Sequence, residues 1–164
     1  MIRLISLVVF AVLFWGCDSP KSVDAPLQQF QAVTEKEAIL LQEGKEKRYC
    51  SRCGMDLVRF YKTNHTAEQD GKIVQYCSLH CLEEHLGHEV TLKNPKVVDV
   101  SSLKFISIAD AFYVVGSSKR GTMTRVSKYA FSSLEDAQKF QKLYGGKIMD
   151  FNGAHEKAKE DFIK

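Results

Sequence analysis

Residues 50–81 read CSRCGMDLVRFYKTNHTAEQDGKIVQYCSLHC, and the placing of four thiols in this stretch decides how the chain must fold. Cys50 and Cys53 form a Cys-x2-Cys pair, and Cys77 and Cys81 form a Cys-x3-Cys pair after 23 intervening residues. Each pair sits on a turn, and the chain between them must go out and return. Leu57, Arg59 and Tyr61 alternate with Val58, Phe60 and Lys62, which predicts the outgoing strand of a hairpin from Met55 to Cys77. Asp70-Gly71 marks its tight turn, and Lys72 to Tyr76 returns. Ser78 then caps a short helix, Leu79 to Leu86, closed by Gly87, with Leu79, Leu82 and Leu86 as its apolar stripe.

Working outward, Thr34-Glu35-Lys36-Glu37 reads as a capping box opening a helix through Ala38, Ile39, Leu40 and Leu41, with Gly44 as its stop. Residues 18–26 are polar, hold two prolines and read as a tether. Downstream, strands are predicted over Val97 to Val100, Phe105 to Ile108 and Ala111 to Val115, then a loop from Gly116 to Gly121. Ser132 or Ser133 caps a helix from Leu134 to Tyr144 that Gly145-Gly146 stops; Lys147 to Phe151 is a last strand, and Asn152 caps a final helix. The second half thus echoes the first: a hairpin, a Tyr followed by Ser, a short helix, then Gly. The fold class read from this pattern is α+β, with two small similar hairpin-plus-helix units over residues 46–102 and 103–164. A helical tether over residues 17–45 precedes them.

The first residues stand apart. Arg3 is followed by a run from Leu4 to Trp15 broken only by Ser6, then Gly16-Cys17. The run is too short to span a bilayer core as a helix, and it matches the apolar region of a signal peptide over residues 1–16. Phe14-Trp15-Gly16-Cys17 resembles a bacterial lipobox, which implies lipidation of Cys17 and a protein held to a membrane in the cell envelope, facing the periplasm. Asp18 after that cysteine resembles a signal for retention at the inner membrane. The formal charge of +3, from 23 basic and 20 acidic residues, argues against nucleic acid as a partner.

With Cys17 assigned to lipid, four thiols in two close pairs have the spacing of a tetrahedral metal site. Structural zinc, disulfides and a soft-metal transport site all fit that spacing. Cys53-Gly54-Met55 shifts the balance, because it puts a thiolate and a thioether on one turn, and thioether suits Cu(I) and not Zn(II). Met123 lies in a polar loop, Lys119-Arg120-Gly121-Thr122-Met123-Thr124, where a core-filling role does not explain it. Cys81, His85 and His88 share a helix face, with His80 beside them; His65 and His155 read as ordinary residues. Cys50-x-x-Cys53 also admits a thiol–disulfide oxidoreductase, but no P-loop, GxGxxG or Ser/His/Asp pattern is visible, and the leading reading is a carrier and not an enzyme.

Cys50-Ser-Arg-Cys53-Gly54-Met55 resembles the Cys-x-x-Cys-Gly-Met motif of NosL proteins. So does the later series of Asp110 to Gly116, Gly121-Thr-Met123, Ala130-Phe131, Asp136-Ala137-x-x-Phe140 and Gly145-Gly146. Together these cover about residues 46–162. The resemblance implies a copper-binding lipoprotein, a metallochaperone assisting maturation of nitrous oxide reductase, built from two small αβ units. It implies Cys53, Met55 and Met123 as Cu(I) ligands, although Thr122 stands where the family has Pro. Tyr76-Cys77-Ser78-x-x-Cys81 separately resembles the knuckle of TRASH and YHS domains, which keeps a structural-zinc interaction module as an alternative. Cys50, Cys77 and Cys81 are candidates by spacing.

Overall fold

The structure, a computed structural model, describes residues 29–88 and 90–163. The leader, Cys17, Asp18 and the tether lie outside the described residues. Among the described residues no helix is long and apolar enough to cross a membrane.

The chain builds one supersecondary pattern twice. The first unit runs β1 (His65–Gln69), β2 (Lys72–Tyr76), α1 (Leu79–Leu86) and β3 (Lys93–Val98), followed by β4 (Phe105–Ser107). The second runs β5 (Phe112–Val115), β6 (Lys128–Phe131), α2 (Leu134–Tyr144) and β7 (Lys147–Met149), followed by α3 (Phe151–Lys159). The sheets have the orders β2-β1-β3-β4 and β6-β5-β7, antiparallel throughout. In each unit the first strand is central, the second pairs on one side, and the strand after the helix pairs on the other. The α+β class and the two similar units read from the sequence are therefore present.

The two units share a core. One apolar cluster joins Cys50, Leu57, Tyr76, Leu79 and Leu82 to Tyr113, Val115, Ala130, Ala154 and Ala158. A second cluster gathers Val114, Tyr129, Phe131, Ala137 and Phe140 under α2. The Val100 amide donates to the Ala130 carbonyl at 2.9 Å and stitches the sheets together.

Three local expectations are corrected. The strand read over residues 57–62 is a turn over 57–60 that runs into the short 3-10 helix Tyr61–Thr63. Asp56 Oδ1 accepts from the amides of Val58 (2.8 Å) and Arg59 (3.2 Å), a local bond that competes with extended pairing. The outgoing strand starts instead at His65, in a polar stretch. The helix read over residues 38–41 is also missing. The capping box forms, with the Thr34 amide donating to Glu37 Oε2 at 2.9 Å. Beyond it, however, Gln75 takes the backbone: its Oε1 accepts from the Leu41 amide and its Nε2 donates to the Ile39 carbonyl. The last helix is capped by Asp150, whose Oδ1 accepts from the Gly153 amide at 2.9 Å, and not by Asn152. The hairpin turn agrees with expectation. Asp70 (φ 49°) and Gly71 (φ 75°) both take the left-handed conformation that a tight two-residue turn demands.

Candidate metal centre

The first thiol pair lies on a knuckle. The Cys50 amide donates to the Met55 carbonyl at 2.8 Å, and the Gly54 amide donates back to the Cys50 carbonyl at 2.9 Å. Closing so tight a loop requires Gly54 at φ +73°, where a side chain would be strained. Two further ties fix the knuckle in place. The Ser51 amide donates to the Gln75 carbonyl on β2 at 3.2 Å. The Arg52 guanidinium forks onto Glu84 of α1, at 2.5 and 2.7 Å. That guanidinium holds the Glu84 carboxyl down to about 2.

The second pair comes from the end of the hairpin. Cys77 directly follows β2, and Cys81 lies in the first turn of α1. The hairpin and helix bring this pair under the knuckle, so that all four sulfurs lie within 4.8 Å of one another. Cys53 Sγ is 3.5 Å from Cys77 Sγ, which is 3.7 Å from Cys81 Sγ. Four sulfurs around one ion at ~2.3 Å would stand roughly 3.8 Å apart. Cys50, Cys77 and Cys81 are buried, Cys53 is exposed, and all four are free thiols.

The protons within the cluster are unequally held. Hydrogen bonds from Cys77 and then Cys81 push the Cys50 thiol far below its usual range. Cys77 is pushed far up, first by its bond to Cys50, then by its bond to Cys81 and by burial. Cys81 is likewise raised, chiefly by its bond to Cys50. A cation entering the cluster exchanges places with its protons.

The methionines lie on an adjoining face. Met55 and Met123 both line an open groove of about 620 Å³, with Phe30, Phe60, Arg120 and Arg125 among its walls. Met55 is half-buried against the core, whereas Met123 is 45% exposed. Folding therefore brings these two side chains from distant positions to one groove, which none of the four cysteines lines.

The histidines stay outside the cluster. His85 is buried, its Nδ1 lies 2.7 Å from the Tyr76 hydroxyl, and burial lowers its pKa. His88 pairs with Glu84, and His155 pairs with Glu83. His80 stacks on Phe162 with ring centroids 4.3 Å apart. The Arg52–Glu84 clamp and the Gln75 hub position the site, yet neither stands out in the sequence. An Arg inside a Cys-x2-Cys loop and a Glu one helical position beyond the apolar stripe were the only signals available.

Residues 42–158 match the NosL family model. A crystal structure described as that of the copper chaperone NosL from Shewanella denitrificans aligns with 28% sequence identity and a TM-score of 0.54, over 68% of this chain and 92% of that one. No curated protein sequence matches significantly. The paired thiols, the repeated ββαβ unit and a family match spanning most of the sequence agree: this chain belongs to the NosL family.

Proposed function

We propose that this chain is a copper metallochaperone that carries Cu(I) in the cell envelope, held to a membrane through lipid on Cys17, and that it delivers copper for the maturation of nitrous oxide reductase. Cys53, Met55 and Met123 are its delivering ligands, and Cys50, Cys77 and Cys81 complete the sulfur supply. The observation that carries the reading is the meeting of Met55 and Met123 in one groove, with Met55 packed against the core that holds Cys50, Cys77 and Cys81. Thiolate and thioether together suit a soft monovalent ion. The route of release follows from exposure. Cys53 is the one cluster thiol open to solvent, so a ligand of an acceptor can replace sulfur there while the buried thiols still hold the metal. The reaction is ligand exchange, and the protein makes or breaks no bond in a substrate other than metal–ligand bonds.

The test is competition of the reduced protein against a Cu(I) chelator. About one equivalent of Cu(I) should bind, and Cys53→Ser or Met55→Ala should each weaken affinity by at least about tenfold. Unchanged affinity in both variants would sink the proposal.

A second reading is a structural zinc site. The sulfur separations of 3.5 and 3.7 Å, close to a tetrahedral edge, favour it. Under that reading the isolated protein holds zinc, all four cysteines are required, and Met123→Ala changes nothing. Elemental analysis of protein purified without added metal separates the two.

A further inference from the structure

The groove that holds the two methionines is a basic one, and its rim is rigidly built. Its lining includes Lys119, Arg120 and Arg125 and no acidic residue. Among the described residues none of these three makes an ion pair. The Lys119 ammonium instead lies over the rings of Tyr144 (4.3 Å) and Phe30 (5.1 Å), and Arg120 and Arg125 are exposed. Lys62, over the Phe30 ring at 4.5 Å, adds positive charge.

The loop carrying these groups is tied down at several points. The Arg120 carbonyl accepts from Gln31 Nε2 (2.7 Å) and from the Tyr129 hydroxyl (2.6 Å). Thr122 is buried and shares a 2.8 Å hydroxyl bond with Thr63. Gly121 is packed so closely that a Cβ there would meet the Thr124 carbonyl oxygen at 2.6 Å. Within this frame Met123 is held at φ +68°, a conformation that costs a side-chain-bearing residue, yet it is 45% exposed and recovers little by burial. A strained, displayed thioether flanked by unpaired guanidinium groups is arranged for something outside the molecule.

We propose that this groove is the docking surface for an acidic polypeptide segment of the copper acceptor. Carboxylates of that segment pair with Arg120 and Arg125 while its backbone crosses Met123, which brings the acceptor's metal ligands beside the Cys53-Gly54-Met55 turn. Charge complementarity chooses the partner, and the fixed loop lowers the entropy lost on docking. The inference rests on the copper-carrier reading, so its test keeps docking and metal binding apart.

The probe is a fluorescent twelve-residue peptide of alternating Asp and Glu around a central Met, with an Asn/Gln peptide of the same length as control. Anisotropy is measured on the full chain in neutral detergent, across a salt series. Wild type should bind the acidic peptide with affinity that falls steeply as salt rises. The neutral peptide and the Arg120→Gln/Arg125→Gln double variant should each show binding weaker by at least about fivefold. Chelator competition and the thermal midpoint of the double variant should match wild type. Equal binding of the two peptides, or an unaffected double variant, overturns the proposal. So does binding, through these two arginines, to phosphatidylglycerol vesicles but not to the peptide, which would make the groove a membrane contact. If peptide docking holds while neither protein takes up Cu(I), the carrier reading fails and the docking surface stands.

Discussion

Strand register aligns the two ββαβ units residue by residue. Tyr76 pairs with the first residue of β1, His65, and Phe131 pairs with the first residue of β5, Phe112. Cys77 then answers to Ser132, Ser78 to Ser133, Cys81 to Asp136 and His85 to Phe140. In the second unit those places do ordinary structural work. Ser132 donates to Asp99 at 2.9 Å, the Asp136 amide in the first turn of α2 donates to the cap Ser133, and Phe140 packs among Phe131, Tyr144, Tyr129 and Phe30 with centroids 4.8–5.7 Å away. In the first unit the same scaffold points thiols at the knuckle of residues 50–55, whereas the register sets residues 97–102, the end of β3 and the turn after it, at the corresponding place in the second unit; the 3-10 turns before β1 (Tyr61–Thr63) and before β5 (Ile108–Asp110) are common to both. The comparison teaches that the hairpin and helix only present two side chains. The knuckle turns that presentation into a site.

The largest effect follows from erasing the difference. Cys77→Ser with Cys81→Asp gives the first unit the second unit's residues, and it should abolish metal uptake while the far-UV circular dichroism stays native. The reverse graft, Ser132→Cys with Asp136→Cys, should create no new uptake, because two thiols without a knuckle leave a site half built. Retained uptake in the first variant, or a second bound equivalent in the other, would break the comparison.

Next come the helix residues that face each core. Phe140→Ala removes a nearly buried ring from an aromatic cluster and should cost about 3–4 kcal/mol in a urea titration. His85→Ala leaves the buried Tyr76 hydroxyl without its partner and should cost less, about 1–2 kcal/mol. Equal costs would mean that the first unit relies on its α1 packing as heavily as the second relies on α2.

His65, on the central strand of the first unit, gives that unit a pH dependence. It is fully enclosed, its Nδ1 donates to the Thr63 carbonyl at 3.0 Å, and the Tyr113 hydroxyl lies 3.2 Å from Nε2. Burial lowers its pKa from 6.5 to about 4, with the neighbouring His155 adding to the same direction. Between those values the unfolded chain binds the proton and the folded one does not, so stability is complete above pH 6.5 and falls as pH drops toward 4. The loss amounts to about 3 kcal/mol. Denaturant titrations at pH 7 and pH 4.5 should show it, and His65→Gln should flatten the slope. An unaltered slope in that variant would assign the pH response elsewhere.

The sequence made the thiol spacing, the Asp70-Gly71 turn and both helices after the hairpins readable, because each depends on contacts only a few residues apart. The features it concealed depend on distant partners. β1 is polar at His65, Thr66, Glu68 and Gln69, and it is a strand because β2 and β3 pair with it on both sides. β6 begins at Lys128, an unpromising core residue that is buried only because Asp161 meets its ammonium at 2.7 Å. Residues 38–41 carry a helix signal that loses to one glutamine 34 positions from Leu41. In the site, the four cysteines were visible as a set, whereas the unequal exposure that singles out Cys53, and the groove shared by Met55 and Met123, needed the tertiary structure.

The smallest predicted effect tests the alignment most finely. Ser78 and Ser133 occupy the same cap position, and both have extended backbone there. Ser133 Oγ accepts from the Asp136 amide at 3.0 Å, the ordinary bond of a helix cap. Ser78 makes no such bond, and its hydroxyl lies 3.8 Å from the Cys77 sulfur. Ser133→Ala should therefore cost about 1 kcal/mol, and Ser78→Ala only a few tenths of that. The first amides of α1 are then left without a side-chain cap. If Ser78→Ala costs as much as Ser133→Ala, the first helix is capped like the second, and the only difference between the units is the cysteines themselves.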